Sequence, residues 1–369
     1  MNRLLATLLL LCAACGTASS HHAPAASTAL VHPDTLVVPE GGPLPVDAPY
    51  VFEGVEVFGA RSVPRERVLA AFSLPAPGTP LRAEDKPGFI EQLIASKQRL
   101  LAVAPWRECG VTVTELNTHR TFVTAELVEP GDEGRMPFFA APTGDVEDPE
   151  GLLAAWTDYQ RRLWALRRQG ALPEYGEGTC RARVCHGGFA HPELAPLEQR
   201  FVDGVPRQAD ALVRVLREDK DGSKRYTALL LLPYVSSSQW LVLTALPAVR
   251  DPERGVRNEA LRLLGEVQRD QPRVVIPLEP VLEALWFPTT SDRNKAGWAL
   301  VHLLQAEGAA RRARILERSG EALLQMLQMR NRLDHEPAHD VLALLAGEDL
   351  GEDAGAWRAW VARVSAGPR

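Results

Sequence analysis

The stretch DKDGSKRYTALLLL (219–232) is repeated in outline by DPERGVRNEALRLL (251–264). In both copies an Asp opens a turn, an Arg follows, and an Ala begins an apolar run that ends in two leucines. Such leucine pairs recur at Leu231-Leu232, Leu263-Leu264, Leu303-Leu304 and Leu344-Leu345. Spacings of roughly 30 to 40 residues are typical of stacked repeats, each too small to bury its own apolar face. The sequence therefore predicts a helical stack over residues 206–369, with about four units.

This pattern resembles the HEAT repeat, a pair of packed helices, and residues 251–261 form its most typical copy. The resemblance implies an all-α HEAT-like solenoid. In it, Asp219 and Asp251 would cap the second helix of their units, while Arg225 and Arg257 would bond neighbouring units. The third and fourth copies depart from the pattern, so the class of repeat is better specified than the number of units.

Composition limits the kind of protein that this chain can be. Apolar residues make up 46% of it and charged residues 24%, a balance that excludes global disorder. The net charge of −6 argues against nucleic acid as a main partner, because phosphate binding requires a basic face. Beyond the leader, no segment reaches the roughly 18 apolar residues that a spanning helix needs. We therefore expect a folded chain that does not itself pass through a membrane.

The N-terminal residues are typical of a bacterial export signal. Asn2-Arg3 supplies a short positive region, residues 4–11 are almost wholly apolar, and Cys12-Ala-Ala-Cys15 follows. The two small residues before Cys15 resemble the lipobox of bacterial lipoproteins, in which the peptidase cleaves before a cysteine that carries a diacylglycerol. The resemblance implies a signal peptide at 1–14, lipidation of Cys15 and, because Gly16 follows, an outer-membrane lipoprotein on the periplasmic side. An ordinary cleaved signal is the alternative.

Residues 15–49 are rich in Ala, Ser, Pro and His and poor in bulky apolar residues. Such a composition cannot bury a core, so we expect a flexible tether. His21, His22 and His32 could bind a metal, but scattered histidines in a tether are more often solvated. We expect no metal or other cofactor here.

Residues 50–130 follow the order strand, helix, helix, strand, strand. The β-rich run from Val51 ends at Gly59, two amphipathic helices follow, and alternating strands close the segment. This order, with Gly78 after the first helix and Trp106 entering the second strand, resembles the POTRA domain. The resemblance implies a small non-catalytic α+β domain of envelope proteins whose edge strand captures a partner by strand addition. A generic small α+β domain is the alternative.

Residues 131–205 bridge the two predicted domains. The segment 131–150 is rich in Pro, Gly and acidic residues, so we expect a linker. One apolar helix face follows, and we interpret it as core: Leu152, Trp156, Tyr159, Leu163 and Leu166. Four arginines lie elsewhere on that helix: Arg161, Arg162, Arg167 and Arg168. They could bind an anionic partner, although solvated surface charge is the commoner role.

The bridge also contains a cluster of cysteines and histidines, Cys180, Cys185, His186 and His191. In an oxidising periplasm a pair with this spacing is most simply a disulfide. The alternatives are a zinc site, whose spacing matches no standard finger, and a Cys–His nucleophile pair, which lacks a local orienting group. Cys109 is either a buried thiol or the disulfide partner of one of the pair.

Trp357 and Trp360 lie in a C-terminal segment that we expect to form a loop and a terminal helix. They should cover the open apolar end of the last repeat, as a solenoid requires. A ligand-binding aromatic pair is the alternative.

Together these features predict an α+β POTRA-like domain (β-α-α-β-β) followed by an all-α HEAT-like solenoid. The function that follows is a non-enzymatic, lipid-anchored envelope scaffold or adaptor whose partners are envelope proteins, with no cofactor, no catalytic residue and no nucleic acid. Two competing hypotheses remain. One is a metal-dependent or thiol enzyme centred on Cys180, Cys185, His186 and His191, and the other is a protein that binds an envelope glycan.

Overall fold

The computed structural model describes residues 48–116, 118–173, 178–185 and 188–366. The chain forms two compact units. The first runs to Met136 and also includes Phe287–Thr290 and Gln325–Glu336; the second comprises Pro137–Trp286, Ser291–Leu324 and the residues from Pro337 onward. The predicted signal peptide, Cys15 and the histidines at 21, 22 and 32 lie outside the described residues.

The described residues of the first unit form a four-stranded mixed sheet with two helices. The strands are β1 (Tyr50–Phe58), β2 (Pro80–Leu81), β3 (Glu108–Glu115) and β4 (Arg120–Val128), and the helices are α1 (Arg65–Leu69) and α2 (Lys86–Leu101). Their order in the sheet is β2-β1-β4-β3, with β1 parallel to β4 and the other neighbours antiparallel. The predicted α+β class is confirmed. The two-residue β2 was not predicted, because a Pro-Gly-Thr-Pro run indicates only a break.

One face of this sheet packs against the helices because its residues alternate. In β1 this face is formed by Phe52 and, after a register irregularity between Phe52 and Gly54, by Val55 and Val57, and in β4 Val123, Ala125 and Leu127 have no exposed surface. The apolar face of α2 packs on them through Phe89, among others. The indole N–H of Trp106 donates to the carbonyl oxygen of Leu100 at 2.8 Å and so satisfies a group at the end of α2.

The opposite face of the sheet carries two buried carboxylates. Glu126 accepts a hydrogen bond from the backbone N–H of Thr290, and Glu56 accepts from those of Arg330 and Asn331, the latter at 3.2 Å. All three donors belong to the two short segments included in the first unit. These carboxylates therefore accept hydrogen bonds from backbone N–H groups beside the starts of two helices.

The second unit is helical. Its helices are α3 (Leu152–Arg168), α4 (Ala195–Glu218), α5 (Gly222–Leu231), α6 (Ser238–Ala245), α7 (Arg254–Asp270), α8 (Leu278–Ala284), α9 (Thr290–Glu307), α10 (Arg312–Leu327), α11 (Arg332–Ala346) and α12 (Ala354–Ser365). Thr290 of α9 and the first residues of α11 are counted with the first unit. The expectation of a helical region after the sheet is confirmed.

The leucine pairs supply much of the core of this region. Leu231, Leu232, Leu263 and Leu264 are at most 1% exposed, but in the fourth pair Leu344 is 36% exposed beside a fully buried Leu345. A Cβ added to Gly265 of α7 would lie 3.1 Å from the Cα atom of Ala299 in α9. The two helices therefore approach closely where small residues meet.

The apolar face predicted for α3 is buried as expected. Trp156 and Tyr159 stack with ring centroids 5.4 Å apart, and both rings pack against Phe201 of α4. The Tyr159 hydroxyl lies between two backbone groups of one residue, since it accepts from the N–H of Phe189 and donates to its carbonyl oxygen. Trp156 and Tyr159 are therefore core residues.

Residues 137–146, which we call the strap, differ from the linker expected there. The strap lies along the turns that precede α5 and α7. The N–H of Phe139 donates to the carbonyl oxygen of Arg250 at 3.1 Å, and Gly144 exchanges backbone hydrogen bonds with Glu218 and Lys220 at 3.0 and 2.7 Å. Pro- and Gly-rich composition suggested a linker because it has no period, but the backbone of the strap is held by specific hydrogen bonds.

Candidate functional site

Four residues selected from the repeat pattern lie in one buried series that we call the charged ladder: Asp219, Arg225, Asp251, Arg257 and, as a fifth member, Asp292. The guanidinium group of Arg225 bonds both carboxylate oxygens of Asp251, at 2.8 and 2.7 Å. It also donates to the carbonyl oxygen of Asp219 at 2.9 Å. Arg225 thus connects the turn before its own helix with the turn before the next repeat helix.

Arg257 repeats this arrangement one unit later. Its guanidinium group donates to Asp292 Oδ2 at 3.0 and 2.9 Å and to the carbonyl oxygen of Asp251 at 2.9 Å. Asn258 binds the other oxygen of Asp292 at 2.7 Å. The ring of Phe138, from the strap, lies 4.0 Å from the Arg257 guanidinium carbon, in cation–π geometry.

Asp219 begins the ladder and has a different set of partners. Its carboxylate accepts from the backbone N–H groups of Asp221 and Val146, at 2.8 and 2.9 Å, and from Lys224 at 3.1 Å. Burial alone would raise the pKa of Asp219, but these hydrogen bonds lower it below its ordinary value. The carboxylate is therefore held ionised, and it attaches the strap to the first turn of the ladder.

The ladder has the chemistry of a structural network. Each of its guanidinium groups is at most 4% exposed and is paired with a carboxylate, so neither can reach a substrate. Sequence reasoning missed Asp292 as a member, because in the third unit the aspartate lies inside the first turn of α9. The available signal was the presence of an Asp at the start of the third predicted repeat helix.

The outer edge of β3 is the second candidate site. The backbone N–H of Leu116 donates to the carbonyl oxygen of Arg120. The register therefore points the backbone N–H and C=O groups of the even-numbered residues of β3 toward β4. The backbone N–H and C=O groups of Val111, Val113 and Glu115 therefore point away from β4. Within the described part of the chain no hydrogen bond uses those backbone groups. Val111 is buried, but Val113 and Glu115 are partly exposed.

The cysteine loop is the third candidate site. Cys180 and Cys185 are joined by a disulfide with their Cα atoms 5.4 Å apart, and Cys109 is buried and not part of this disulfide. A bonded pair offers neither a thiolate nucleophile nor a thiolate ligand for zinc. His191 Nδ1 accepts from the backbone N–H of Glu193 at 3.2 Å, and His186 lies outside the described residues.

A shallow depression of about 500 Å³ lies beside this loop. It is lined by Arg181, Ala182, Arg183, Pro206, Pro233, Tyr234, Val235, Ser236 and Gln271. Tyr234 forms part of its wall, and its hydroxyl donates to buried Glu198 at 3.4 Å. Burial and the neighbouring carboxylate of Glu198 raise the pKa of Tyr234, so the phenol stays neutral.

The arginines predicted on α3 have different surroundings. Arg161 pairs with Asp158 on the same helix, and Arg162 and Arg168 are exposed. The guanidinium carbon of Arg167 lies 4.9 Å from the ring centroids of both Trp164 and Phe189. The structure therefore does not gather the four arginines into one basic site.

Trp357 and Trp360 are both buried, and their rings meet edge to face at 6.0 Å. The Trp357 indole N–H donates to the carbonyl oxygen of Gly351 at 2.7 Å. Neither ring offers an open face on which a sugar could stack. That they cover the open apolar end of the last repeat stays a prediction.

Within the described part of the chain, every helix is too short or too polar to span a membrane. In the same part of the chain, no three or more His, Cys, Asp or Glu side chains lie together in a group that could hold a metal ion.

Comparison with known proteins found no matching family model, no matching curated protein and no matching solved structure.

Proposed function

We propose that this protein is a non-enzymatic, lipid-anchored scaffold or adaptor of the bacterial cell envelope. Its first unit would act as a POTRA-like domain that binds a partner protein at the β3 edge, and its second as a HEAT-like docking surface. The lipid anchor at Cys15 would hold both on the periplasmic side of the outer membrane.

The outward-facing backbone of Val113 and Glu115 is the observation that carries this proposal. Unpaired N–H and C=O groups at a strand edge form a template that another extended chain can complete. The other face of the sheet is occupied by Thr290, Arg330 and Asn331, so the sheet would meet a partner along its edge. Strand addition needs no catalytic group, which fits a binding role.

The ladder supports the HEAT-like part of the proposal. Arg225 and Arg257 occupy equivalent positions in successive units, and each bonds the aspartate of the next turn. Such links between neighbours are what a stack of repeats needs, because no repeat is stable alone. A rigid series of helices would then present one continuous surface to a protein partner.

The test places a photo-crosslinking amino acid at Arg107 or Glu115, near the two ends of β3, in cells that contain the native envelope. We expect both positions to crosslink to the same envelope protein. A probe at Leu243, which is 57% exposed on α6, is the positional control and should not capture that protein.

The backbone variant Val113→Pro makes this test specific for strand addition. Proline removes the outward N–H but is tolerated on an edge strand, so we expect the crosslinks to disappear while circular dichroism keeps the sheet signal. Val113→Thr retains the N–H and should retain the crosslinks. Crosslinks that survive Val113→Pro, or that never form at either end of β3, would reject the proposed use of the edge.

A further inference from the structure

The loop between Cys180 and Cys185 is fixed at several points. The disulfide closes its ends, the N–H of Arg181 donates to the buried carboxylate of Glu198 at 2.6 Å, and the N–H of Arg183 donates to the carbonyl oxygen of Pro233 at 2.8 Å. Val184 is 1% exposed and anchors the loop in the core. The backbone of the loop is therefore preorganised, while the side chains of both arginines remain exposed.

Among the described residues, neither guanidinium group at this place is paired with a carboxylate. Arg181 donates to a neutral group, the side-chain oxygen of Gln199, at 2.6 Å. In the described part of the chain the Arg183 side chain has no hydrogen bond or ion pair. Glu198, the acid beneath the loop, is already engaged by the Arg181 N–H and by the hydroxyl of Tyr234.

The depression beside the loop places this charge next to a lining of mixed polarity. Pro206 is exposed, Pro233, Tyr234 and Val235 are buried in its wall, and the arginines lie at the same site. An oxyanion could accept paired N–H donors from a guanidinium group while a neighbouring side chain contacts Pro206.

The helix ends at this site favour a carboxylate over a phosphate. α5 ends at Leu231, just before Pro233, and Gln271 follows the last residue of α7. The C-terminal end of a helix carries partial negative charge, which disfavours the double charge of a phosphate more than the single charge of a carboxylate.

We propose that the disulfide-closed loop and its depression form a binding site for an acidic peptide, with Arg181 and Arg183 holding an Asp, Glu or C-terminal carboxylate. This site is separate from the β3 edge and from the charged ladder, so it stands or falls independently of the function proposed above. The disulfide keeps the two arginines in place before the peptide arrives, which lowers the entropic cost of binding.

The probe is a displayed library of random hexapeptides, selected on the full chain, followed by fluorescence polarisation of the selected peptides at fixed ionic strength. We expect selection of peptides that contain Asp or Glu. Because both guanidinium groups are exposed, Arg181→Gln and Arg183→Gln should preserve the melting temperature and weaken binding about tenfold each, or about 1.4 kcal/mol. Arg162→Gln, an exposed arginine of α3, is the matched control and should change neither.

A second variant tests preorganisation. Replacing both Cys180 and Cys185 by Ser keeps the two charges and should weaken binding while the melting temperature reports whether the fold is retained. Selection of neutral peptides, or acidic peptides whose affinity ignores both arginines, would overturn the proposal. Full displacement by inorganic phosphate at matched ionic strength would also overturn it, because the site would then be a phosphate site.

Discussion

Among single residues, Arg257 contacts more groups than a simple ion pair with one carboxylate would. Its planar guanidinium group reaches Asp292, the carbonyl oxygens of Asp251 and Pro252, and the ring of Phe138. Removing one partner from a buried ion pair leaves an uncompensated charge, which typically costs about 3–5 kcal/mol. We therefore expect Arg257→Ala to lower the free energy of unfolding of the second unit by about that amount, measured by urea denaturation.

The Lys variant separates charge from shape at the same position. Arg257→Lys keeps the charge but cannot bond the carboxylate and the carbonyl groups in the same planar arrangement, so its loss should be substantial although smaller. Arg162→Ala, at an exposed position, should lie within about 0.5 kcal/mol of the native chain. An Arg257→Ala chain as stable as this control would contradict the assigned role of the ladder.

Glu56 should make stability depend on pH in a predictable direction. Burial raises the pKa of Glu56 above its ordinary value, and hydrogen bonds from Arg330 and Asn331 offset this only in part. The native state therefore holds the proton to a higher pH than the unfolded chain does. The contribution of Glu56 to stability is present below the ordinary pKa of a glutamate, and it is lost as the pH rises through the raised pKa of the native state.

The measurement is the difference in melting temperature between the native chain and Glu56→Gln from about pH 4 to pH 8. We expect the melting temperature of the native chain to fall relative to that of Glu56→Gln as the pH rises, because only the native chain must then bury an ionised carboxylate. Glu91→Gln, on the exposed surface of α2, controls for the change in net charge. If the melting temperature of the native chain instead rose relative to that of Glu56→Gln with rising pH, the predicted direction of the pH dependence would be wrong.

Residue roles could be predicted where a pattern repeats. Arg225 and Arg257 were identified because two copies of one motif place an Arg at the same position after an Asp. Glu56 and Asp292 were not identified. The partners of Glu56 come from a segment more than 270 residues away, and a carboxylate on a strand gives no sign of which distant N–H it will meet.

At the scale of elements, the strap should depend on one glycine. A Cβ added at Gly144 would lie 2.5 Å from the carbonyl oxygen of Glu218, a backbone atom that cannot move away cheaply. We expect Gly144→Ala to displace the strap locally and to break the hydrogen bond from the Lys220 N–H to the Gly144 oxygen. Amide exchange at Lys220 and Val146 should then accelerate by about tenfold, as expected for the loss of roughly 1–1.5 kcal/mol of protection.

Gly134→Ala is the matched control for the strap, because an added Cβ there would meet no atom within 4 Å. Exchange at Ser223, whose N–H is bonded to the side chain of Asp221, should stay unchanged in both variants. Unaltered exchange at Lys220 in Gly144→Ala would show that the strap is not held at this point.

Elements with a period were predictable and elements without one were not. The buried face of α3 follows from apolar residues at helical spacing, and the strands of the first unit follow from alternation. The strap has neither period, and its partner Asp219 lies 73 residues after Val146 in sequence. Its order comes from backbone hydrogen bonds and one carboxylate, which composition does not reveal.

For the molecule as a whole, the fold class could be predicted from the sequence. Apolar residues recur every two residues in the strands of the first unit and at helical spacing in the second. The placement of residues 287–290 and 325–336 with the first unit did not follow. Those segments look like ordinary turns between helices, and nothing in their sequence indicates that the carboxylates of Glu56 and Glu126 will bond them.

The proposed anchor leads to a prediction for the entire protein. If Cys15 carries a diacylglycerol, each buried methylene contributes about 0.8 kcal/mol to membrane binding, so the mature chain should enter the detergent phase of a Triton X-114 extraction. Cys15→Ala should move it to the aqueous phase and remove the lipid mass from its N-terminal peptide. Cys12→Ala is the matched control, because Cys12 would leave with the signal peptide and the chain should stay anchored.

If the proposed anchor is correct, residue 16 should decide which membrane holds the chain. The likeness to outer-membrane lipoproteins depends on Gly16, so Gly16→Asp should move the anchored chain to the inner membrane in a sucrose-gradient separation while its lipid mass stays unchanged. A native chain that partitions into the aqueous phase would instead favour the ordinary cleaved signal. In that case the β3 edge would have to find its partner by diffusion through the periplasm, and crosslinking at Glu115 should then be unaffected by Cys15→Ala.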